Sequence, residues 1–180
     1  GQPTLDLRRQ KTTFQTKRSS TAMIWKPHVT VAAIAEKDNR FLIVEERVDG
    51  QLVYNQPAGH LDSGESLVEA VIRETYEETA WTFQPEALVG IQLWRHPVHS
   101  ESYLRFSFCG SCDEHHNDRT LDHGIEQALW LSRDELMDNH HRLRSPLVLR
   151  SIDDYLEGRR YSLDILEHIA SDIGLGTDAT

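Results

Sequence analysis

The sequence predicts an α/β fold, a mixed β-sheet held between helices, and three observations carry that expectation. Val- and Ile-rich stretches come first, one sharply punctuated helix follows, and then come further strands and two more helices. Lys37-Asp38-Asn39 between two such stretches has the composition of a hairpin turn. Ser66 and Ser132 are each followed three residues later by Glu, the signature of a capping box. A chain of 180 residues, 38% hydrophobic and 27% charged, can bury one good core and is short for two.

The elements follow in order. The first 22 residues hold five Arg or Lys against one acid, Asp6, and read as a basic, flexible N-terminal extension. The same basic, Ser/Thr-rich composition also fits a targeting peptide. Residues 23–165 form the compact domain, and 166–180 form a polar C-terminal tail. Within the domain, Pro27 to Ala35 and Arg40 to Glu45 read as strands, with Gln51 to Gln56 as a third. Leu88 to Trp94, Tyr103 to Cys109 and Gln127 to Leu131 are the later strands. One late helix starts at Ser132, and the other starts at Ser145-Pro146 and stops before Gly158.

Composition excludes several functions. A formal net charge of −10 repels nucleic acid and anionic membrane, so neither is an expected partner. No apolar run reaches the roughly 18 residues that cross a bilayer, and the N-terminus lacks the apolar stretch of a secretory signal. With only Cys109 and Cys112, the chain reads as cytoplasmic and reduced. A small phosphorylated substrate would need a local cation to be held here.

The chemistry lies in the helix after Ser66. Leu67, Val71 and Thr75 share one face, with Val68 and Ile72 beside them, and Ala70, Glu74, Glu77 and Glu78 lie on the other side. Like charges three or four apart cost about 0.2–0.5 kcal/mol per pair, and acids near a helix C-terminus cost about 0.3–1 kcal/mol each. Arg73 is their one local counter-charge. Oxygen-only clusters without Cys or His suit hard divalent ions, Mg²⁺ or Mn²⁺, which turn the repulsion into attraction. Gly59, in the turn before the helix, lets backbone approach a ligand and offers a carbonyl.

Gly59, Glu65 and the run Arg73-Glu74-Thr75-Tyr76-Glu77-Glu78-Thr79-Ala80-Trp81 stand at spacings that resemble the 23-residue signature of the Nudix hydrolases. One position departs: Ala80 stands where the family usually has Gly, so it must take a left-handed helix end or end the helix differently. Lys26 to Ala32, Asn55 to His60, Leu104-Arg105-Phe106 and Ser145 to Val148 extend the likeness over residues 23–165 to bacterial phosphatases of that family. The resemblance implies an α/β/α sandwich with an acidic loop-helix-loop, and Mg²⁺-dependent hydrolysis of a diphosphate joined to another group. It implies Glu74, Glu77 and Glu78 as metal ligands, helped by the Gly59 carbonyl, with Glu65 as a secondary metal or orienting group and Arg73 holding Glu74. The general base would be Glu74, Glu78 or a later acid, Asp122 or Glu126, with Glu126 preferred because it leads into a strand.

Substrate contacts are expected from Trp94, Tyr103 and Phe106 by stacking, and from Arg95 and Arg105 by pairing with phosphate. The implied substrates are nucleoside tri- and diphosphates and the pyrimidine diphosphate intermediate of thiamine synthesis, acted on by a monomer or homodimer. Two rival readings are an ADP-ribose or dinucleotide pyrophosphatase and a catalytically silent nucleotide sensor. Cys109-Gly110-Ser111-Cys112 with His115-His116 supplies only half a zinc site, and a strand end with a polar loop is the preferred reading. His140-His141 reads as surface, and His28 and His60 as structural or substrate-facing.

Overall fold

The computed structural model describes residues 24–169. The expected extension over 1–22 and the tail from residue 170 lie outside the described residues. Strand β1 (His28–Lys37) turns into β2 (Arg40–Val48) through Asp38 and Asn39, both at positive φ. That is the turn whose twist matches a hairpin, and Asp and Asn tolerate it best after Gly. Asp49-Gly50 repeats the device into β3 (Gln51–Asn55), and β4 (Ala58–His60) follows at once.

Helix α1 (Leu67–Thr79) has the expected capping box: the Ser66 side chain accepts from Glu69 N–H, and the Glu69 carboxylate accepts from Ser66 N–H. Then come β5 (Trp81–Arg95), β6 (Ser102–His115), β7 (Ile125–Leu131), α2 (Arg133–Asp138) and α3 (Leu147–Leu156). Two strands are longer than the sequence suggested. Strand β5 starts directly after the helix and absorbs Pro85 beside a register shift, which an edge strand tolerates. Strand β6 continues through Cys109-Gly110-Ser111-Cys112, so this run is strand rather than strand end and loop.

The strands run β3-β2-β1-β6-β5, with β4 also on β1 and β7 also on β2, and only β1 and β6 are parallel. Pairing of β1 with β2 is confined to two residue pairs beside the turn, and at Thr30–Ala32 β1 pairs with β4 instead. The sheet therefore parts between β4 and the β2–β3 hairpin.

Alternation along the strands divides the core between the two faces. Val31, Ala33, Leu88 and Phe108 pack with Ala70 and Val71 of α1. Their neighbours Ile34, Val89 and Cys109 pack with Leu136 of α2 and with Val148 and Ile152 of α3. This is the α/β/α sandwich. The buried side of α1 is rotated from the expected stripe: Ala70 and Glu74 are buried, and Ile72 is exposed. The cause is β4, which packs on α1 beside the sheet and covers that flank. Among the described residues no helix is long and apolar enough to cross a membrane.

Candidate active site

Where the sheet parts lies a cavity of about 360 Å³, within the range of small-molecule sites. Its walls come from β1 to β6, from α1 and from the start of α3, and they differ in chemistry. Ala58, Gly59, Glu74 and Glu78 line it from β4 and α1, and Trp94, Tyr103, Arg105 and Arg144 from β5, β6 and the segment before α3.

The acidic wall is built by two close approaches. At Gly59 a Cβ would stand 2.1 Å from the Glu74 carboxyl, so only glycine lets β4 lie against that acid. The Ala58 N–H donates to Glu78 Oε2 at 2.9 Å, which fixes the second acid to the same strand. Burial raises the pKa of Glu78 well above the usual carboxylate value, and the charges of Glu74, Glu46 and Asp122 push it the same way. Burial also raises Glu74, against the opposing pull of Arg73.

Arg73 is the internal counter-ion. It donates to Glu74 Oε1 at 2.8 Å, to Glu77 Oε2 at 3.1 Å, to both oxygens of Glu65 at 2.6 and 2.9 Å, and to the His60 carbonyl at 3.0 Å. Glu65 also accepts from the Asp62 N–H at 2.8 Å, and the Arg73 bonds hold its pKa below the usual carboxylate value. Both Glu65 oxygens are thus engaged in orienting Arg73, and it is not part of the cavity wall. Among the described residues no three acids, histidines or cysteines converge closely enough to form a ready metal cluster, because the guanidinium stands between Glu65, Glu74 and Glu77.

The donor set nevertheless fits a hard divalent cation. The buried Glu74, the half-buried Glu78 whose ionisation the charge of Glu74 opposes, a third carboxylate one helical turn from Glu74, and the backbone of Gly59 lying against Glu74 all offer oxygen ligands.

The expected substrate residues divide. Trp94 and Tyr103, paired across β5 and β6, stack at 5.7 Å and form an aromatic shelf in the cavity, and His28, outside the cavity lining, stacks on Tyr103 at 5.1 Å. Arg105 forms the floor. Burial lowers its pKa to about 10, and its guanidinium donates to Gln56 Oε1 at 3.3 Å and Asn55 Oδ1 at 3.5 Å. Arg95 is exposed and faces away, since successive strand residues alternate and Trp94 faces in. Phe106 packs against the α1 core instead of the cavity.

Glu126 is the clearest displacement. Glu45 pairs with Gln127 and Glu46 with Ile125, so Glu126 is the extra residue of a β-bulge and turns outward to Arg47 at 2.8 Å. Asp122 is placed otherwise: its N–H donates to the Glu77 carbonyl at 3.1 Å, which ties its loop to the acid-bearing helix.

Several cavity residues were not singled out in the sequence: Glu46, Asn55, Arg144, Thr30 and His96. The one signal was Glu45-Glu46 inside an otherwise apolar strand. Cys109 and Cys112 are three apart on a strand and pack against opposite cores, which removes the half zinc site.

The model of the NUDIX domain family matches residues 26–150. The phosphatase NudJ of Escherichia coli K12 is 39% identical over 143 residues, 79% of this chain and 92% of that one. It is the bacterial phosphatase that residues 23–165 resemble in sequence. A solved NUDIX hydrolase from Nitrosomonas europaea superposes with a TM-score of 0.79 at 47% identity, covering 80% of this chain and 98% of that one. An ADP-ribose pyrophosphatase from Streptococcus suis shares the fold, with a TM-score of 0.59 at 15% identity over 76% of this chain and 97% of that one.

Proposed function

The chain belongs to the Nudix family of hydrolases that act on pyrophosphates, and from that premise we propose a phosphohydrolase dependent on Mg²⁺ or Mn²⁺. Its substrates would be nucleoside tri- or diphosphates and related small pyrophosphates, including the pyrimidine diphosphate intermediate of thiamine synthesis. The observation that carries the reading is one cavity lined by acids of α1 together with arginines and stacked aromatics.

Glu74, Glu77, Glu78 and the Gly59 carbonyl would hold the cation. When bound, it offsets their charge, draws electron density from the phosphate oxygens and acidifies a water molecule. Arg73 fixes the angle of Glu74 and Glu77, and Glu65 and the His60 carbonyl fix Arg73. The general base would be Glu78 or Glu74, and Glu78, fixed to β4 through the Ala58 N–H, would be positioned to take a proton from the attacking water. Asp122, tied to the helix through Glu77, is the loop acid that supports it, and Glu126 is not. Arg105 and Arg144 neutralise acceptors of the substrate, and Trp94 and Tyr103 stack on its planar group.

A panel of nucleoside di- and triphosphates, the aminopyrimidine diphosphate, ADP-ribose and dinucleotides, each with Mg²⁺ and with Mn²⁺ and with products quantified, tests this reading. Preferred turnover of ADP-ribose would favour the pyrophosphatase alternative. Tight binding without turnover across the panel would make the chain a sensor.

A further inference from the structure

The same cavity is lined by residues with polar atoms that the protein leaves without hydrogen-bond partners. Among the described residues five buried side-chain polar atoms lack such a bond, and three of them, Thr30 Oγ1, Glu46 Oε1 and Arg105 Nε, belong to residues of this one cavity. Buried polar groups are normally satisfied, so a concentration of exceptions marks a wall with spare hydrogen-bonding capacity, and Glu46, whose side chain is 20% exposed, can turn that capacity toward a ligand.

Their arrangement is specific. Glu46, on β2, offers an acceptor, and its nearest cation, Arg144, reaches Oε1 only at 3.5 Å between Nε and oxygen. Arg105, on β6, is a donor whose own partners are two amide oxygens at 3.3 and 3.5 Å, both long, with no carboxylate within ion-pair distance among the described residues. Gln56 cannot turn to serve it better, because its amide also donates to the Val148 carbonyl at 2.7 Å. An acidic acceptor and a cationic donor therefore share one pocket with the stacked pair Trp94 and Tyr103.

We propose that Glu46 and Arg105 are specificity-determining residues that read the edge of a stacked heteroaromatic ring, selecting one with an amino group beside a ring acceptor over its keto counterpart. The amino group donates to Glu46, and the adjacent ring nitrogen or carbonyl accepts from Arg105. A keto oxygen in the amino position sets two acceptors against each other and leaves Glu46 unpaired. The substrate class assumed is that of the phosphohydrolase reading, but the ring preference is measured by binding and needs no turnover.

The test compares cytidine and uridine monophosphates, which differ at this edge, by calorimetric titration into the wild type and Glu46→Gln. The same comparison of kcat/KM is made on the two diphosphates. The wild type is expected to favour the cytidine compound by about ten- to a hundredfold, the range expected of one buried unpaired group. Glu46→Gln, whose amide can turn a donor to the keto oxygen, is expected to bring the ratio to within about threefold by weakening cytidine and strengthening uridine. Thermal melting shows whether the variant is folded. A wild-type ratio near one overturns the proposal, whatever the variant does. So does an equal loss of kcat on both diphosphates with the binding ratio unchanged, because that assigns Glu46 to the chemistry. Clear discrimination in binding with no turnover of either diphosphate would sustain the ring reading while sinking the phosphohydrolase one.

Discussion

Replacing Arg73 with Ala tests whether one guanidinium holds the acidic site together. Its side chain is 27% exposed, and the three glutamates that it pairs with are 16%, 12% and 30% exposed. Fully exposed pairs are worth about 0–1 kcal/mol, and breaking a buried one costs about 3–5 kcal/mol. The intermediate burial here sets the expected loss at about 2–3 kcal/mol, or a fall in Tm of about 5–10 °C for a domain of this size.

The pH dependence supplies the sharper test. Glu65 has a folded pKa depressed below its ordinary 4.5, so its contribution is present above pH 4.5 and is lost as pH falls through the lower folded value. Glu74 has a folded pKa raised above 4.5 even with Arg73 present, so without Arg73 it rises further, and the variant weakens as pH climbs through this range. Both effects make the gap between wild type and Arg73→Ala widest near neutrality and narrow it below about pH 4.5. Thermal melts in chelator-treated buffer from pH 3.5 to 7.5 measure it. A gap that stays constant with pH, or a variant that melts with the wild type, would refute the reasoning.

Three further outcomes are expected. Gly59→Ala forces the Glu74 carboxyl from a place 2.1 Å from the new Cβ; the side chain can swing, so stability falls by less than about 2 kcal/mol while turnover drops about a hundredfold, read by melting and by steady-state kinetics. Glu77→Gln keeps the shape of the side chain and removes its charge: the fold stays intact, nearly all metal-dependent turnover disappears, and so does the stabilisation by Mg²⁺ that is read as a rise in Tm, about 2.7 kcal/mol at a hundred times Kd in the wild type. Turnover by Glu77→Gln at saturating Mg²⁺ would remove that residue from the ligand set. Ala80→Gly is expected to change stability by less than about 1 kcal/mol in denaturant titration, because relief of the left-handed strain, about 1–2 kcal/mol, is offset by the lost burial of one methyl and by greater freedom of the unfolded chain.

What was legible in the sequence is local. Capping boxes, hairpin turns and the spacing of Arg73, Glu74, Glu77 and Glu78 act over four residues or fewer, and α1 with its acids stands where those signals put it. The cavity floor is assembled from Glu46 on β2, Asn55 at the end of β3, Arg105 on β6 and Arg144 before α3. Those positions meet only because β6 pairs in parallel with β1, far along the chain, and no short-range pattern encodes that crossing. Glu126 misled for a related reason. A strand start predicts an inward acid only if the register holds, and the bulge opposite Glu45 and Glu46 flips it out.

The helix end that the sequence left open proves to be joined to the site. Ala80 takes φ 60° and ψ 12°, the left-handed cap that glycine would adopt more cheaply, and its N–H donates to the Tyr76 carbonyl at 2.9 Å. The loop from β6 to β7 then closes over this end. The His116 N–H donates to the Ala80 carbonyl at 2.8 Å, the Asp122 N–H donates to the Glu77 carbonyl, and Arg119 lies 4.3 Å over the Tyr76 ring. Donors from the loop thus satisfy carbonyls that a helix terminus leaves open, and they offset part of the cost of an alanine there. The same two backbone bonds bring the charge of Asp122 close enough to raise the proton affinity of both Glu74 and Glu78. Capping the helix and bringing a fourth acid near its carboxylates are one structural event: Asp122 is anchored there by its backbone, whereas Glu126, near the start of the next strand, turns out to Arg47.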